Sequence, residues 1–244
     1  MNKTAVSVKN VYKIFPLDSR KNKFNVALED VSFEIERGSF TVIGGANGSG
    51  KSVLMNIISG LMKASDGKVE CEGHPGLVFQ DASLQILGES PREDVAVGPE
   101  NLGVKKSEIA GIVEDCLKKV SLLEKADFPA DFLSGGEKRR LAVASILAMK
   151  RDIIIFDEPY ANLDYPGVKD VNALLAQLKN EGKTIILLTH ELEKCLAMSS
   201  HFIVLYSGKK VFDGSPGEAL KLDLEKWGIK NPLNSYKEFK NLVW

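Results

Sequence analysis

The chain has 244 residues, 44% hydrophobic and 27% charged, with a formal net charge of −1. That balance suits a globular chain with a sizeable core and leaves no bulk electrostatic case for nucleic acid or an anionic membrane surface. Cys71, Cys116 and Cys195 are odd in number and scattered, which argues against a disulfide framework or zinc site and suits a reducing cytosol. No apolar run of signal-peptide length follows Met1. The most apolar stretches, residues 152–156 and 184–189, are of strand length, so work at a membrane would need a partner to hold the chain there.

In chain order, residues 5–15 alternate apolar and polar positions and predict a half-exposed strand ending at Pro16, followed by a polar loop over residues 18–23. Alternation resumes over residues 26–40, with Gly38 as a turn, and residues 40–43 read as a buried strand. A helix is expected at 53–61, a turn at 65–67, and strands at 68–72 and 77–80. The pattern then turns helical. Ser107 has the character of an N-cap, and Ile109, Ile112, Val113, Cys116, Leu117 and Val120 share one face, a stripe read as core packing. Next come a helix from about Gly136 to Met149, a strand at 153–156, an amphipathic helix from Pro166, a strand at 184–188 and a helix at 191–198. Residues 202–206 and 210–212 predict a hairpin across Ser207-Gly208. Strands alternating with helices define an α/β fold with a mainly parallel sheet, and residues 81–150 read as a helical lobe inserted between its halves. The tail from Pro216 promises short helices at best, with Trp227, Tyr236, Phe239 and Trp244 as packing or docking points.

The chemistry centres on Gly45-Ala46-Asn47-Gly48-Ser49-Gly50-Lys51-Ser52, two glycines bracketing four residues ahead of Lys and a hydroxyl side chain. Glycines let successive backbone N–H groups turn inward around a polyphosphate, because no Cβ blocks the approach. Lys51 adds a point charge for the β and γ phosphates, and Ser52 a hydroxyl for the Mg²⁺ that accompanies a nucleotide. With a strand before and a helix after, the phosphate would sit at a helix N-terminus. An accidental glycine-rich turn is the competing reading, and a full match in this context disfavours it.

Downstream, the apolar run 153–156 ends in Asp157-Glu158. Phosphoryl transfer to water needs one carboxylate for the Mg²⁺ shell and one to polarise the water, roles that fit Asp157 and Glu158 in turn. Leu133-Ser134-Gly135-Gly136-Glu137 opens a lobe helix and offers a second anion site at a helix N-terminus. One chain has no evident need of two phosphate cradles, whereas two chains facing head to tail do. Standing alone, the stretch would be a plain Ser N-cap with flexible glycines.

These residues resemble those of the ATP-binding subunits of ABC transporters over nearly the whole chain. Residues 45–52 match Walker A, Gln80 the Q-loop, 133–137 the signature, and 153–158 Walker B with its catalytic glutamate. Ala161-Asn162-Leu163-Asp164 matches the D-loop, and His190 the switch histidine. Phe15 falls where the family stacks an aromatic on adenine, with Tyr12 as its rival. The resemblance implies a P-loop NTPase: a RecA-like core with an antiparallel β edge (1–80 and 151–215), a helical signature subdomain (81–150) and a short C-terminal extension (216–244). It implies ATP and Mg²⁺ as ligands, with Ser52, Gln80 and Asp157 at the metal. Glu158, His190 and Gln80 would serve hydrolysis, Asp164 would bind nucleotide, and Ser134 to Glu137 would act on it from a second chain.

A narrower resemblance rests on residues 93–103 (Glu-Asp-Val-Ala-Val-Gly-Pro-Glu-Asn-Leu-Gly), with Phe79-Gln80-Asp81 and Gln85 before it. The run is similar to the ATPases of energy-coupling factor importers, including the cobalt and nickel systems. It implies a peripheral protein on the cytoplasmic face, working with a second ATP-binding subunit, identical or different. A transmembrane coupling protein and a membrane substrate-binding protein for a vitamin or transition-metal ion would complete the assembly. An ABC exporter ATPase and a soluble assembly ATPase share most of the motifs and are the alternatives. The chain departs from the family in carrying Glu137 where Gln is usual and only His74-Pro75 between Gly73 and Gly76, which implies a trimmed β edge. Lys138-Arg139-Arg140 reads as a solvated helix face rather than a nucleic-acid patch, and His74 and His201 carry no assigned role.

Overall fold

The computed structural model describes residues 3–18 and 23–234. Its first sheet is antiparallel: β1 (Thr4–Asp18) lies between β2 (Lys23–Glu36) and β4 (Asp66–Cys71). β1 runs on past Pro16, where the sequence pattern predicts its end. β4 accompanies β1 only as far as Tyr12, so Pro16, opposite Phe24, lies on a stretch with one strand neighbour, where a missing N–H is tolerated. Of the expected loop, residues 19–22 lie outside the described residues.

The second sheet has the order β5 (Gly76–Val78), β6 (Ile153–Asp157), β7 (Thr184–Leu188), β3 (Phe40–Gly44), β8 (His201–Tyr206), β9 (Lys209–Gly214). Every neighbouring pair is parallel except β8 with β9, an antiparallel edge. The central strands are buried on both faces, and their period of two divides the core. Val42, Ile154, Phe156, Ile185 and Leu187 pack on one side, with α3 (Lys106–Lys119), α4 (Gly135–Ala148) and α5 (Tyr165–Asn180). Ile43, Ile153, Ile155, Ile186 and Leu188 pack on the other, with α1 (Lys51–Ile58) and the apolar face of the first sheet. Residues 72–75 are the whole link between β4 and β5.

Between β5 and β6 the chain is helical, and after one 3₁₀ turn (Ala82–Leu84) comes an element the apolar spacing does not predict, α2 (Pro91–Asn101). Ser90 caps it by accepting from the Glu93 N–H, and Pro91 supplies a preset φ at N1. Gly98 has a packing reason: a Cβ there would lie 2.5 Å from Met149 Cγ. α3 starts at Lys106 with Lys105 as N-cap, so Ser107 sits inside the first turn and is not the cap. Residues 191–198 are two short 3₁₀ turns, Leu192–Lys194 and Leu196–Met198, rather than one helix, because Cys195 at φ −144° breaks the helical path. In the tail, α6 (Pro216–Ala219) is followed by buried Leu224 and Ile229, and Trp227 packs against the core. Tyr236, Phe239 and Trp244 lie outside the described residues.

Candidate active site

The parallel ladder decides what meets. β3, β5, β6 and β7 run in one direction, so their C-terminal ends open on the same side of the sheet, where α/β folds place ligands. From those ends emerge the loop 45–50, Gln80, Asp157-Glu158 and His190.

The loop is shaped by close backbone approach. A Cβ on Gly45 would lie 2.4 Å from the Leu205 carbonyl oxygen. At Gly50, φ is +103° and a Cβ would lie 2.7 Å from the Ala27 carbonyl oxygen, so both positions need glycine. α1 then begins at Lys51 with no side-chain cap, which leaves its first amides available to an anion. Lys51 is only 6% exposed, and its Nζ donates to the Gly45 carbonyl at 2.7 Å and the Ala46 carbonyl at 3.2 Å. Burial pulls the Lys51 ammonium below its ordinary pKa, while Glu158 and Asp157 oppose that shift.

Glu158 is buried and holds φ +45°, a left-handed backbone that costs a non-glycine residue on the order of 1 kcal/mol or more. Its N–H donates to the Leu188 carbonyl at 2.9 Å, pinning it to the end of β7. One carboxylate oxygen, Oε1, is shared: His190 Nδ1 is 3.0 Å away and Lys51 Nζ 3.9 Å.

These groups line a cleft of about 520 Å³ that also takes in Phe15, Asn47, Gly48, Gly50, Ser52 and Gln80. Tyr12, the other aromatic candidate, is not in its wall. Six lining residues were not singled out by sequence as site residues: Asn25, Val26 and Ala27 on β2, Val53 on α1, and Ser207 and Gly208 in the β8–β9 turn. The Ser-Gly turn signal was visible. Its link to the loop was not, and it is non-local: the Gly208 N–H donates to the Ser49 carbonyl at 3.1 Å. Ser49 itself is buried, with its hydroxyl unpartnered.

Asp157 lies behind this cleft, half-buried. Burial and then Glu158 raise its pKa, opposed by the Ser52 hydroxyl and Lys51. Its Oδ1 is buried without a hydrogen-bond partner beside a hydroxyl oxygen, a hard-oxygen donor set that suits Mg²⁺. Asp157 and Gln80 also border a second cleft of about 500 Å³, with Gly135, Arg139 and Asn162.

Ser134 to Glu137 and Asp164 are not brought into the first cleft. Asp164 caps α5, its Oδ1 accepting from the Gly167 N–H at 3.0 Å. Ser134 and Glu137 form a reciprocal capping box on α4. The Lys125 ammonium, 2.6 Å from Glu137, and the Ser134 N–H hold the Glu137 carboxyl down to about 2. The two glycines of this turn have no such employment. A Cβ on Gly135 would meet open space, and one on Gly136 only Arg140 Nη1 at 4.0 Å. Helical glycines cost about 0.5–1 kcal/mol each relative to alanine, so a requirement within this chain is not what keeps them small.

One sequence expectation is overturned here. Arg139 does not belong to a solvated face: it is 7% exposed, its guanidinium turned inward toward residues 80 and 161.

Comparison with known proteins agrees with this geometry. The profile of the ABC transporter family matches residues 28–161. The energy-coupling factor transporter ATP-binding protein EcfA of Carboxydothermus hydrogenoformans is 40% identical, over 94% of this chain and 88% of its own. EcfA1 of Clostridium novyi is 37% identical, over 89% and 82%. Among solved structures, cbiO1 from Clostridium perfringens, part of the ABC transporter complex cbiONQ, gives a TM-score of 0.79 at 29% identity, covering 91% of this chain and 92% of that one. A dimeric post-hydrolysis state of the ATP-binding cassette MJ0796, bound to ADP and Pi, gives 0.75 at 27% identity, covering 86% and 98%.

A parallel sheet with a phosphate-loop cleft at its C-terminal ends defines a P-loop ATPase. This chain belongs to the ABC transporter family.

Proposed function

We propose that the chain is the ATP-hydrolysing subunit of an energy-coupling factor importer for a vitamin or transition-metal ion. The observation that carries the catalytic part is the meeting of Lys51, Glu158 and His190 around one carboxylate oxygen at the mouth of the phosphate loop. Phosphoryl transfer asks the protein mainly for positioning and charge stabilisation. Phe15 would stack the adenine, residues 45–52 cradle the phosphates, and Lys51 reach the β and γ oxygens. Glu158 would accept a proton from the attacking water, and His190 and Gln80 would contact the γ-phosphate. Mg²⁺, held by Ser52, Asp157 and Gln80, would neutralise charge developing on the phosphate oxygens.

The unexplained openness at Gly135 and Gly136 supports a second ATP-binding subunit, identical or different. Its γ-phosphate would approach Ser134, Gly135 and Gly136, with Glu137 and Asp164 shaping the turns on either side. Each site is then completed by a neighbour.

Among the described residues no helix is long and apolar enough to cross a membrane. In this reading the chain attaches peripherally, at the cytoplasmic face. A groove in the helical segment fits that need. Exposed Leu87 and Phe132 lie in it among Glu89, Glu93, Asp127 and Asp131, an apolar and acidic surface for a helix of the transmembrane coupling protein. A membrane substrate-binding protein would complete the importer, and nucleic acid has no part in this reading.

Detergent extraction followed by affinity purification of the tagged chain tests it. Co-purification of an integral membrane protein whose presence stimulates ATP hydrolysis is expected. Recovery with soluble partners alone would contradict transport.

A further inference from the structure

Arg139 is a buried cation for which none of the motifs accounts. It lies on the second turn of α4, and its Nη2 donates to two carbonyls from opposite parts of the chain: Gln80 at 3.1 Å and Ala161 at 3.4 Å. Its Nε and Nη1 are buried and unpartnered. Leaving guanidinium nitrogens unsatisfied out of water is costly, so a solvated surface arginine would not settle here for packing alone.

The two carbonyls are the informative part. Gln80 follows β5 and reaches into the phosphate cleft, and Ala161 lies in the loop between Glu158 and Asp164. That loop is locally strained, with Glu158 at φ +45° and Asn162 at φ +59°, so its course depends on contacts from outside it. Arg139 does not itself line that cleft and meets Gln80 only at its backbone carbonyl, which makes its effect indirect.

We propose that Arg139 is a positioning residue for ATP hydrolysis. It ties the helix carrying Ser134 to the backbone of Gln80 and Ala161, so that the γ-phosphate-sensing side and the carboxylate-bearing side of the site move with that helix. This rests on the hydrolytic function proposed above. Both bonds come from Nη2, which a rigid planar fork holds in place, whereas a lysine ammonium sits on a flexible stem without that fork, so lysine is an incomplete replacement.

The test compares wild type, R139M, R139K, Q80A and Q80A/R139M in ATP hydrolysis, with ATP affinity measured separately. R139M is expected to lower kcat about 10- to 100-fold, as small misplacements of catalytic groups do, with ATP Kd within a few-fold of wild type. R139K should fall between them. In the Q80A background the further loss from R139M should shrink to the part carried through Ala161, because the Gln80 side chain being positioned is already gone. Full multiplication of the two losses, or an R139M kcat equal to wild type, would overturn the tie. If R139M does not fold, R139K carries the comparison: an unchanged kcat overturns the proposal. Hydrogen exchange of the nucleotide-free protein gives an independent readout. R139 variants should speed exchange around residues 79–81 and 161–163, and unchanged exchange in both segments would also overturn it. A wild-type chain that hydrolyses no ATP would contradict the proposed function, while exchange would still decide the tie.

Discussion

His190 Nδ1 lies 3.0 Å from Glu158 Oε1, joining the segment after β7 to the end of β6. A carboxylate only accepts hydrogen bonds, so the imidazole Nδ1–H donates, and Nε2 is left as the other contact atom of the ring. The histidine side chain is about half exposed while Glu158 is buried, so His190 faces the cleft and Glu158 backs it. His190→Ala is expected to slow hydrolysis about 100-fold, the contribution of one well-placed polar group, and to leave ATP affinity within a few-fold. Steady-state ATPase assays beside equilibrium nucleotide titration check the pair of effects. Loss of binding with an unchanged kcat would contradict it.

Lys51 is held by the loop it serves, through the Gly45 and Ala46 carbonyls, and sits between two carboxylates. Lys51→Met removes the cation and keeps most of the volume. ATP binding should weaken about 10- to 100-fold, equivalent to losing one charge-assisted hydrogen bond of about 1.5–3 kcal/mol. Titration with a fluorescent ATP analogue measures it.

Glu137 gives a pH signature. Lys125 first, and then the Ser134 N–H, hold its carboxyl near 2, below its ordinary 4.5. A folded-state pKa below the unfolded one means that the native state binds this proton less tightly. The contribution is therefore fully present above pH 4.5 and is lost as pH falls toward 2. Glu137→Gln retains an oxygen for the Ser134 N–H but gives up the partly exposed ion pair with Lys125, at a cost of about 1 kcal/mol or less near neutrality. The difference in Tm between wild type and variant should shrink as pH falls through that window. A difference that stays constant or grows would refute the assignment.

Tyr160 is 1% exposed, and its hydroxyl donates to Asn172 Oδ1 at 2.6 Å. Asn172 Nδ2 in turn donates to the Lys194 carbonyl at 2.8 Å, so the network links the strained loop after β6 to the turn after His190. Tyr160→Phe leaves the part-buried Asn172 oxygen without its donor. A loss of about 1–3 kcal/mol in unfolding free energy is expected, measurable by denaturant titration.

What could be read from sequence followed from how local the signal was. The phosphate loop, β3, β6 and β7 were legible because each is specified by neighbours within a few residues: glycines beside a lysine, or a run of buried aliphatics. α2 escaped because Gly98 and Pro99 interrupt its apolar pattern, although the Ser90-Pro91 start was there to see. Arg139 and the Tyr160 network escaped for a different reason. Their partners lie 59 positions away at Gln80 and 12 at Asn172, and no spacing rule reaches that far. Lys138, Arg139 and Arg140 look equivalent in a string, and only the packing of α4 against residues 80 and 161 separates them.

The central claim is that Glu158 is the group that activates water in an otherwise complete nucleotide site. Glu158→Gln keeps the size and the contact distance to His190 and Lys51 while abolishing the carboxylate base. Measuring Mg²⁺-ATP hydrolysis and ATP binding on the same preparation tests this most directly. ATP should still bind while turnover falls at least ~100-fold. Turnover close to wild type would contradict the account.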